Sequence, residues 1–577
     1  MSRKLIEEAR KLLAGESGSQ SKPWGGRLSV ALVYPNTYRQ AMSNLGFLTL
    51  YHLLNAREDT LCERFFLPDG ESLAEHRKTG YPLFSLETGR LLTDFDLIAF
   101  SISFENDYLH LPVLFDLARL PLWRGERGSN YPLLLAGGVC AFLNPEPLAE
   151  IMDLFAVGEG EVIVPELIET LKGGRDLTRP ELFDRLAVAP GIYVPSLYQP
   201  EVAADGTLSG WVRSPSAPAR VARQWVRDLD RTASRSFVLT EATEFSDMAL
   251  TEISRGCGRG CRFCAAGYIY LPPRERSLDV LLEQVDLGLC EREKVGLVGA
   301  AVSDYSRIAE LDRAILDRGG KVSVASLRID SLTAEEVAAL KTSGHRTLAL
   351  APEAGSQRMR DTVNKGLTRE QILDAVHLLG EGGILNLKLY FLVGLPGETD
   401  TDIAEMLDLL AEIRSIWVAE GKKQGRLGTL TISVNPFIPK PFTPFQWAGM
   451  AGEKRLKGIF QKLRPAVGRM ANTEIIFEST RSAVLQALLA RGDRRVGRLL
   501  PDLAAGMNLK AACRKAELDP DFYVTRERGA DEIFPWEVID SGVRREFLRG
   551  EYNEALAGRT SRRCFDGCVD CGVCRDG

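Results

Sequence analysis

The sequence predicts an α/β protein in parts: a doubly wound N-terminal domain over residues 1–190, a linker at 191–247, a partial (β/α)6 barrel over 248–465 and a mostly helical C-terminal extension over 466–577. Two long stretches in which strand-like and helix-like segments alternate predict the first and third parts, because such alternation produces parallel sheets covered by helices. The length predicts the division itself, since 577 residues exceed the size at which one hydrophobic core keeps growing.

The elements follow in order. Leu28 to Tyr34 (LSVALVY) reads as a buried strand that ends in the turn Pro35-Asn36-Thr37-Tyr38 and leads to a helix near Met42 to Leu54. Further strands are expected at Phe95–Ser103, Tyr131–Ala136 and Asp153–Val157. Glycines stand at two of their ends, Gly137-Gly138 and Gly158-Glu159-Gly160-Glu161, where either a ligand or another stretch of backbone can come close. From Pro190 to Met248 prolines interrupt the pattern. Six βα units then begin with strands at Leu250–Ser254, Val295–Val302, Lys321–Leu327, Thr347–Pro352, Leu385–Val393 and Leu430–Asn435, and functional residues are expected at their C-terminal ends. Beyond Pro465 the periodicity is helical and irregular.

Composition excludes several classes. A hydrophobic fraction of 45% and a charged fraction of 26% are globular averages and exclude a disordered or fibrous chain. A net charge of -6 excludes a globally basic nucleic-acid binder. The local run Arg491, Arg494, Arg495, Arg498 reads as either a nucleic-acid patch or a solvated helix face. No apolar stretch approaches the length of a membrane span, Met1 to Leu13 reads as a surface helix, and a cytoplasmic location is expected.

Seven of the eleven cysteines crowd into two short runs, which favours metal over disulfides and a reducing compartment; Cys62, Cys140, Cys290 and Cys513 are scattered. The first run, Cys257, Cys261 and Cys264 (C-x3-C-x2-C), directly follows a predicted strand. Three thiolates on a 4Fe-4S cube leave one iron open to a ligand. Gly256, Gly258 and Gly260 suit a backbone wrapped round such a cube, and Arg255, Arg259 and Arg262 are candidates to moderate its charge. A structural zinc is the alternative, but it needs a fourth ligand, and no further Cys or His follows until Cys290.

With Phe263 between its last two cysteines, this loop resembles that of the radical S-adenosylmethionine (SAM) superfamily. The resemblance implies that SAM chelates the open iron through its amino and carboxylate groups. One electron from a low-potential donor such as flavodoxin or ferredoxin then cleaves it to a 5′-deoxyadenosyl radical. It also implies SAM-binding positions at strand ends: Ser303 after the second strand, where the usual Gly-Gly-Glu is absent; Arg328 after the third, for the carboxylate; Glu353 after the fourth, for the ribose or amino group; and Gly394 after the fifth, beside adenine. Lys388 lies inside the fifth strand.

The N-terminal region resembles the Rossmann-like, cobalamin-binding type of domain that precedes the barrel in one radical SAM class. The residues that carry this are the Asp96 strand, Gly137-Gly138 with Asn144-Pro145-Glu146-Pro147, and Gly158-Glu159-Gly160-Glu161. Ser43-Asn44-Leu45-Gly46, Pro439 to Trp447 and the Cys571-Gly572-Val573-Cys574 ending are similar to one poorly characterised subfamily of that class. The Asp-x-His-x-x-Gly loop that gives cobalt a lower histidine is missing, so cobalamin is expected without a protein histidine or not at all.

The second cysteine run, Cys564, Cys568, Cys571 and Cys574, has spacings that favour a second iron-sulfur cluster over zinc. Three functions follow: a radical SAM enzyme, with methyl transfer or rearrangement if cobalamin is retained; a methylthiotransferase-like RNA modifier using the tail cluster; or a non-catalytic iron-sulfur scaffold.

Overall fold

A computed structural model of the chain describes residues 2–324, 327–565 and 567–574, so Ala325 and Ser326, at the end of the third predicted barrel strand, and Asp566 in the tail lie outside the described residues. The N-terminal domain is built on β1 (Leu28–Tyr34), β2 (Thr60–Phe66), β3 (Leu97–Ser101), β4 (Leu133–Gly137), β5 (Leu154–Ala156) and β6 (Ile192–Tyr193). They lie in the order β2-β1-β3-β4-β5-β6, parallel except for β6. Every residue of β1 is buried, as a central strand covered on both faces requires.

Strand β2 is the one the apolar pattern does not announce, because Glu63 and Arg64 interrupt it. Both are buried and paired: Arg64 donates to Glu16 and Glu87, and Glu63 accepts from Trp24 Nε1 at 3.0 Å. Burial of the Arg64 charge is tolerable because two carboxylates match it, while Glu63 relies on the neutral donors Trp24 and Thr88.

The barrel carries seven parallel strands in two sheets. The first sheet is β7 (Met248–Glu252), β8 (Lys294–Val298) and β9 (Lys321–Val324). The second is β10 (Thr347–Glu353), β11 (Asn386–Val393), β12 (Leu430–Pro436) and β13 (Thr473–Phe477). The seventh, β13, extends the sheet past the six strands predicted; as an edge strand it is only half-buried and lacks a strong apolar signal.

The segment from 191 to 247 ties the parts together. It contains a hairpin (Tyr198–Val202 with Leu208–Arg213), and Val221–Ala222 pairs with Ile539–Asp540 of the C-terminal extension. That extension also fills the seam between sheet and barrel. Asn144 donates to the carbonyls of Ala490 (3.1 Å) and Gly492 (2.7 Å), and Glu105 takes hydrogen bonds from Lys440 and from Gln486 (2.9 Å).

The basic run at 491–498 belongs to this seam. Arg491 is buried and donates to the carbonyls of Tyr523 and Ala448, Arg494 grips Glu146 with two hydrogen bonds (2.8 and 3.1 Å), Arg495 pairs with Asp493, and Arg498 with Glu150. Arg491 and Arg494 are buried struts in this seam, whereas Arg498 stays exposed, so the run is not a uniformly solvated helix face.

Candidate active site

The loop after β7 carries Cys257, Cys261 and Cys264, and its shape is imposed by its neighbours. Gly256 has φ +86°, and a Cβ there would lie 2.4 Å from the Tyr270 carbonyl oxygen, so no other residue fits. The thiols are close enough to oppose one another's ionisation. Burial pushes Cys261 up to about 12 and raises Cys264, while the charge of Lys365 works the other way on Cys261. Such thiols stay protonated at neutral pH unless iron displaces the proton. Among the described residues no three His, Cys, Asp or Glu side chains converge as ligands of one metal ion.

The three arginines of the loop anchor it rather than neutralise it. Arg255 donates to Glu159, Glu161 and Glu252, each at 2.8 Å, and Arg274 grips Glu159 a second time at 2.8 and 3.0 Å. Arg259 bonds Asp304 and Asp330. Arg262 is fully buried and spends its donors on Glu551, Ser561 and the carbonyls of Asp361, Thr362 and Arg559. The cation beside the cysteines is instead Lys365, which sequence reasoning missed. Asn364 donates to the Gly260 carbonyl (3.1 Å) and Arg262 N–H to that of Val363 (3.0 Å), which brings Lys365 to the loop. Burial disfavours its charge, but Glu353 at 3.1 Å more than restores it.

The other predicted positions fall as follows. Glu353 stands at the end of β10 in the left-handed region (φ +66°), next to a register shift, and holds Lys365. A non-glycine residue kept there is strained, and its ion pair with Lys365 is one of the contacts that hold it. Ser303 Oγ accepts from Arg328 N–H at 3.4 Å, so the second and third strand ends meet. Arg328 is itself engaged by Asp330 at 2.8 Å. Phe263 is partly buried against the core. Gly394 differs from expectation: a Cβ there would lie 2.8 Å from Ala451 Cβ and 2.9 Å from Leu456 Cδ2. The missing side chain thus makes room for the packing of Ala451 and Leu456.

Inside the barrel, Leu387, Leu389 and Phe391 of β11 are buried under helices, and alternation puts Lys388, Tyr390 and Leu392 on the opposite, half-buried inner face. Their neighbours in register are Thr431, Ser433 and Asn435 of β12. Lys388 Nζ lies 4.8 Å from the Tyr390 ring centroid. The lumen wall is polar.

A family model described as "Radical SAM superfamily" matches residues 251–410, and one for "Radical SAM proteins, N-terminal" matches 46–195. An uncharacterized protein of Methanocaldococcus jannaschii is 30% identical over 496 residues, 85% of this chain and 94% of that protein. The chain belongs to the radical SAM superfamily. This radical SAM enzyme is also 30% identical over 181 residues to a tRNA-2-methylthio-N(6)-dimethylallyladenosine synthase of Desulforamulus reducens; the match spans 29% of this chain and only 39% of that enzyme. Among solved structures, the cobalamin-dependent SAM radical enzyme OxsB, with aqua-cobalamin and SAM bound, aligns with a TM-score of 0.44 and 16% identity over 92% of this chain and 79% of that one.

The glycines that suggested a cobalamin site are filled by the protein. A Cβ at Gly138 would lie 2.5 Å from the Ile102 carbonyl oxygen, and one at Gly158 2.0 Å from that of Gln224. Glu159 and Glu161, in the same motif, are committed to Arg255 and Arg274. At Gly138, Gly158, Glu159 and Glu161 the protein's own backbone and arginines therefore occupy the space and the polar groups that cobalamin would need. By contrast, three gathered thiols on a glycine-rich loop fit a 4Fe-4S cluster in donor set and number. Among the described residues no helix is long and apolar enough to cross a membrane.

Proposed function

We propose that Cys257, Cys261 and Cys264 hold a 4Fe-4S cluster whose open iron takes SAM, and that the enzyme directs the resulting 5′-deoxyadenosyl radical at a hydrogen atom of a polar substrate in the lumen. The observation that carries this reading is the placement of the three thiols at the strand ends, with Lys365 and Glu353 beside them, above a wall of Lys388, Tyr390, Thr431, Ser433 and Asn435. A cluster in this setting supplies a single electron to the sulfonium.

The chain's own residues have separate tasks. Lys365 offsets the negative charge that three thiolates bring into a buried site, and Glu353 keeps that ammonium in place. Arg255, Arg259 and Arg262 fix the loop. Arg328, whose N–H bonds Ser303 and whose guanidinium pairs with Asp330, is the candidate partner of the SAM carboxylate. The tail cysteines Cys564, Cys568, Cys571 and Cys574 hold a second iron-sulfur cluster, and thiol chemistry of this kind suits the cytoplasm.

RNA methylthiolation is a second reading, favoured by the similarity to the tRNA-modifying synthase. Against it stands the seam role of the Arg491–Arg498 run, which removes the clearest basic patch. Anaerobic reconstitution with iron and sulfide, followed by SAM and dithionite, tests the main reading. 5′-Deoxyadenosine and methionine should form in wild type and not in a triple alanine variant of the triplet; zinc alone at the triplet, or product from that variant, would overturn it. Altered methylthio nucleosides in total RNA of a deletion strain would favour the second reading instead.

A further inference from the structure

The tail does not hang free beside the triplet loop; it is stitched to it. Cys564 N–H donates to the Gly258 carbonyl at 2.8 Å, Ser561 N–H to Asn364 Oδ1 at 3.0 Å, and Arg563 shares Asp330 with Arg259, each at 2.8 Å. Arg262 reaches Ser561 Oγ at 2.7 Å. Gly258 directly follows Cys257, so one residue and one hydrogen bond separate a ligand of the first set from a ligand of the second. A cavity of about 190 Å³ beside this seam is lined by Tyr268 and Phe547 as well as by cysteines of both sets.

Three of the four tail cysteines, Cys564, Cys568 and Cys571, line that cavity together with Cys257 of the triplet. A cubic cluster with four cysteine ligands has no open iron, so it can exchange electrons but cannot bind a substrate or hold an attached sulfur at a vacant site. Its outer side faces solvent: Phe565 and Val569 are each about half exposed, at 51% and 46%.

We propose that the tail cluster is the electron entry to the active site, wired to the triplet through Cys564, Gly258 and Cys257. The proposal rests on the triplet reading given above. One electron leaves a one-electron carrier of the ferredoxin or flavodoxin class, which is oxidised, and passes by way of the tail to the triplet. There it is consumed as one carbon-sulfur bond of the sulfonium breaks. The two bonding electrons and the incoming one end as the sulfur lone pair of methionine and the unpaired electron of the radical, and no proton moves.

Two measurements on the full-length, reconstituted protein decide it. In reduced wild type, electron paramagnetic resonance should give a broadened, fast-relaxing signal from two interacting clusters. Two independent signals, or zinc in the tail, would overturn the proposal. In Cys571→Ser, the ratio of SAM cleavage driven by reduced flavodoxin to that driven by dithionite should fall at least tenfold. An unchanged ratio, with both rates lowered alike or neither lowered, means that the tail only braces the loop and overturns it as well. Absence of SAM cleavage in wild type under dithionite would instead reject the triplet reading.

Discussion

The two cysteine groups solve different problems. The triplet is held from all sides, with buried arginines locking its loop to the N-terminal domain, to the neighbouring strand ends and to the C-terminal helix, and with one lysine left beside the thiols. The tail has one more cysteine, buries only Cys568 and Cys571 of its four, and is fastened by hydrogen bonds to the triplet loop at Gly258, to Asn364 and Asp330, and to Arg544 at the start of the last helix. A group that must present a vacant position needs rigid surroundings to shape what enters it, whereas a fully ligated group needs only proximity.

The sharpest way to break the comparison is to remove the triplet alone. Replacing Cys257, Cys261 and Cys264 by alanine should take 5′-deoxyadenosine formation below detection while about half of the iron stays with the tail. Loss of all iron on analysis would show that the tail cannot be filled by itself.

Next in size is the clamp on the loop. Glu159→Gln leaves Arg255 and Arg274 short of a buried partner and should destabilise the protein by about 3–5 kcal/mol, read by chemical denaturation. A comparable loss is not expected for Arg562→Gln, whose ion pair with Asp570 is exposed and screened by solvent.

Lys365→Met should shift the midpoint potential of the triplet cluster to more negative values, because a cation that favours the reduced form is gone; Lys365→Arg should restore it. A redox titration followed by electron paramagnetic resonance measures this, and an equal shift in the tail signal would mean that the two sites are not electrostatically distinct.

The smallest effect concerns pH. Burial raises Glu398, which accepts from Gly394 N–H at 2.7 Å, to about 7 from an ordinary 4.5. Between these values the folded state holds a proton that the unfolded state has lost, so this group's contribution to stability falls as pH rises from about 4.5 to about 7 and is level above that. Glu398→Gln should flatten that part of the stability profile by roughly 1–3 kcal/mol, which denaturation at pH 5 and pH 8 would detect.

Much of this was legible in the residues. The C-x3-C-x2-C spacing after a strand sets ligand number and leaves an iron open, and the apolar alternation sets the first six barrel strands, because both depend on neighbours in sequence. Residues that depend on distant partners were not legible. Glu63 and Arg64 hid β2 until Glu16, Glu87 and Trp24 were in place, Gly138, Gly158 and Gly394 showed glycine without showing what it packs against, and the arginines at 491–498 looked like a patch until Glu146 and Glu150 met them. By itself the sequence determined the grouping of the cysteines and the number of thiols in each group, since both follow from spacing along the chain. Only the tertiary structure decided which charges serve the triplet and that the tail lies against it, because folding brings together residues 258 and 564 through contacts that no local pattern encodes.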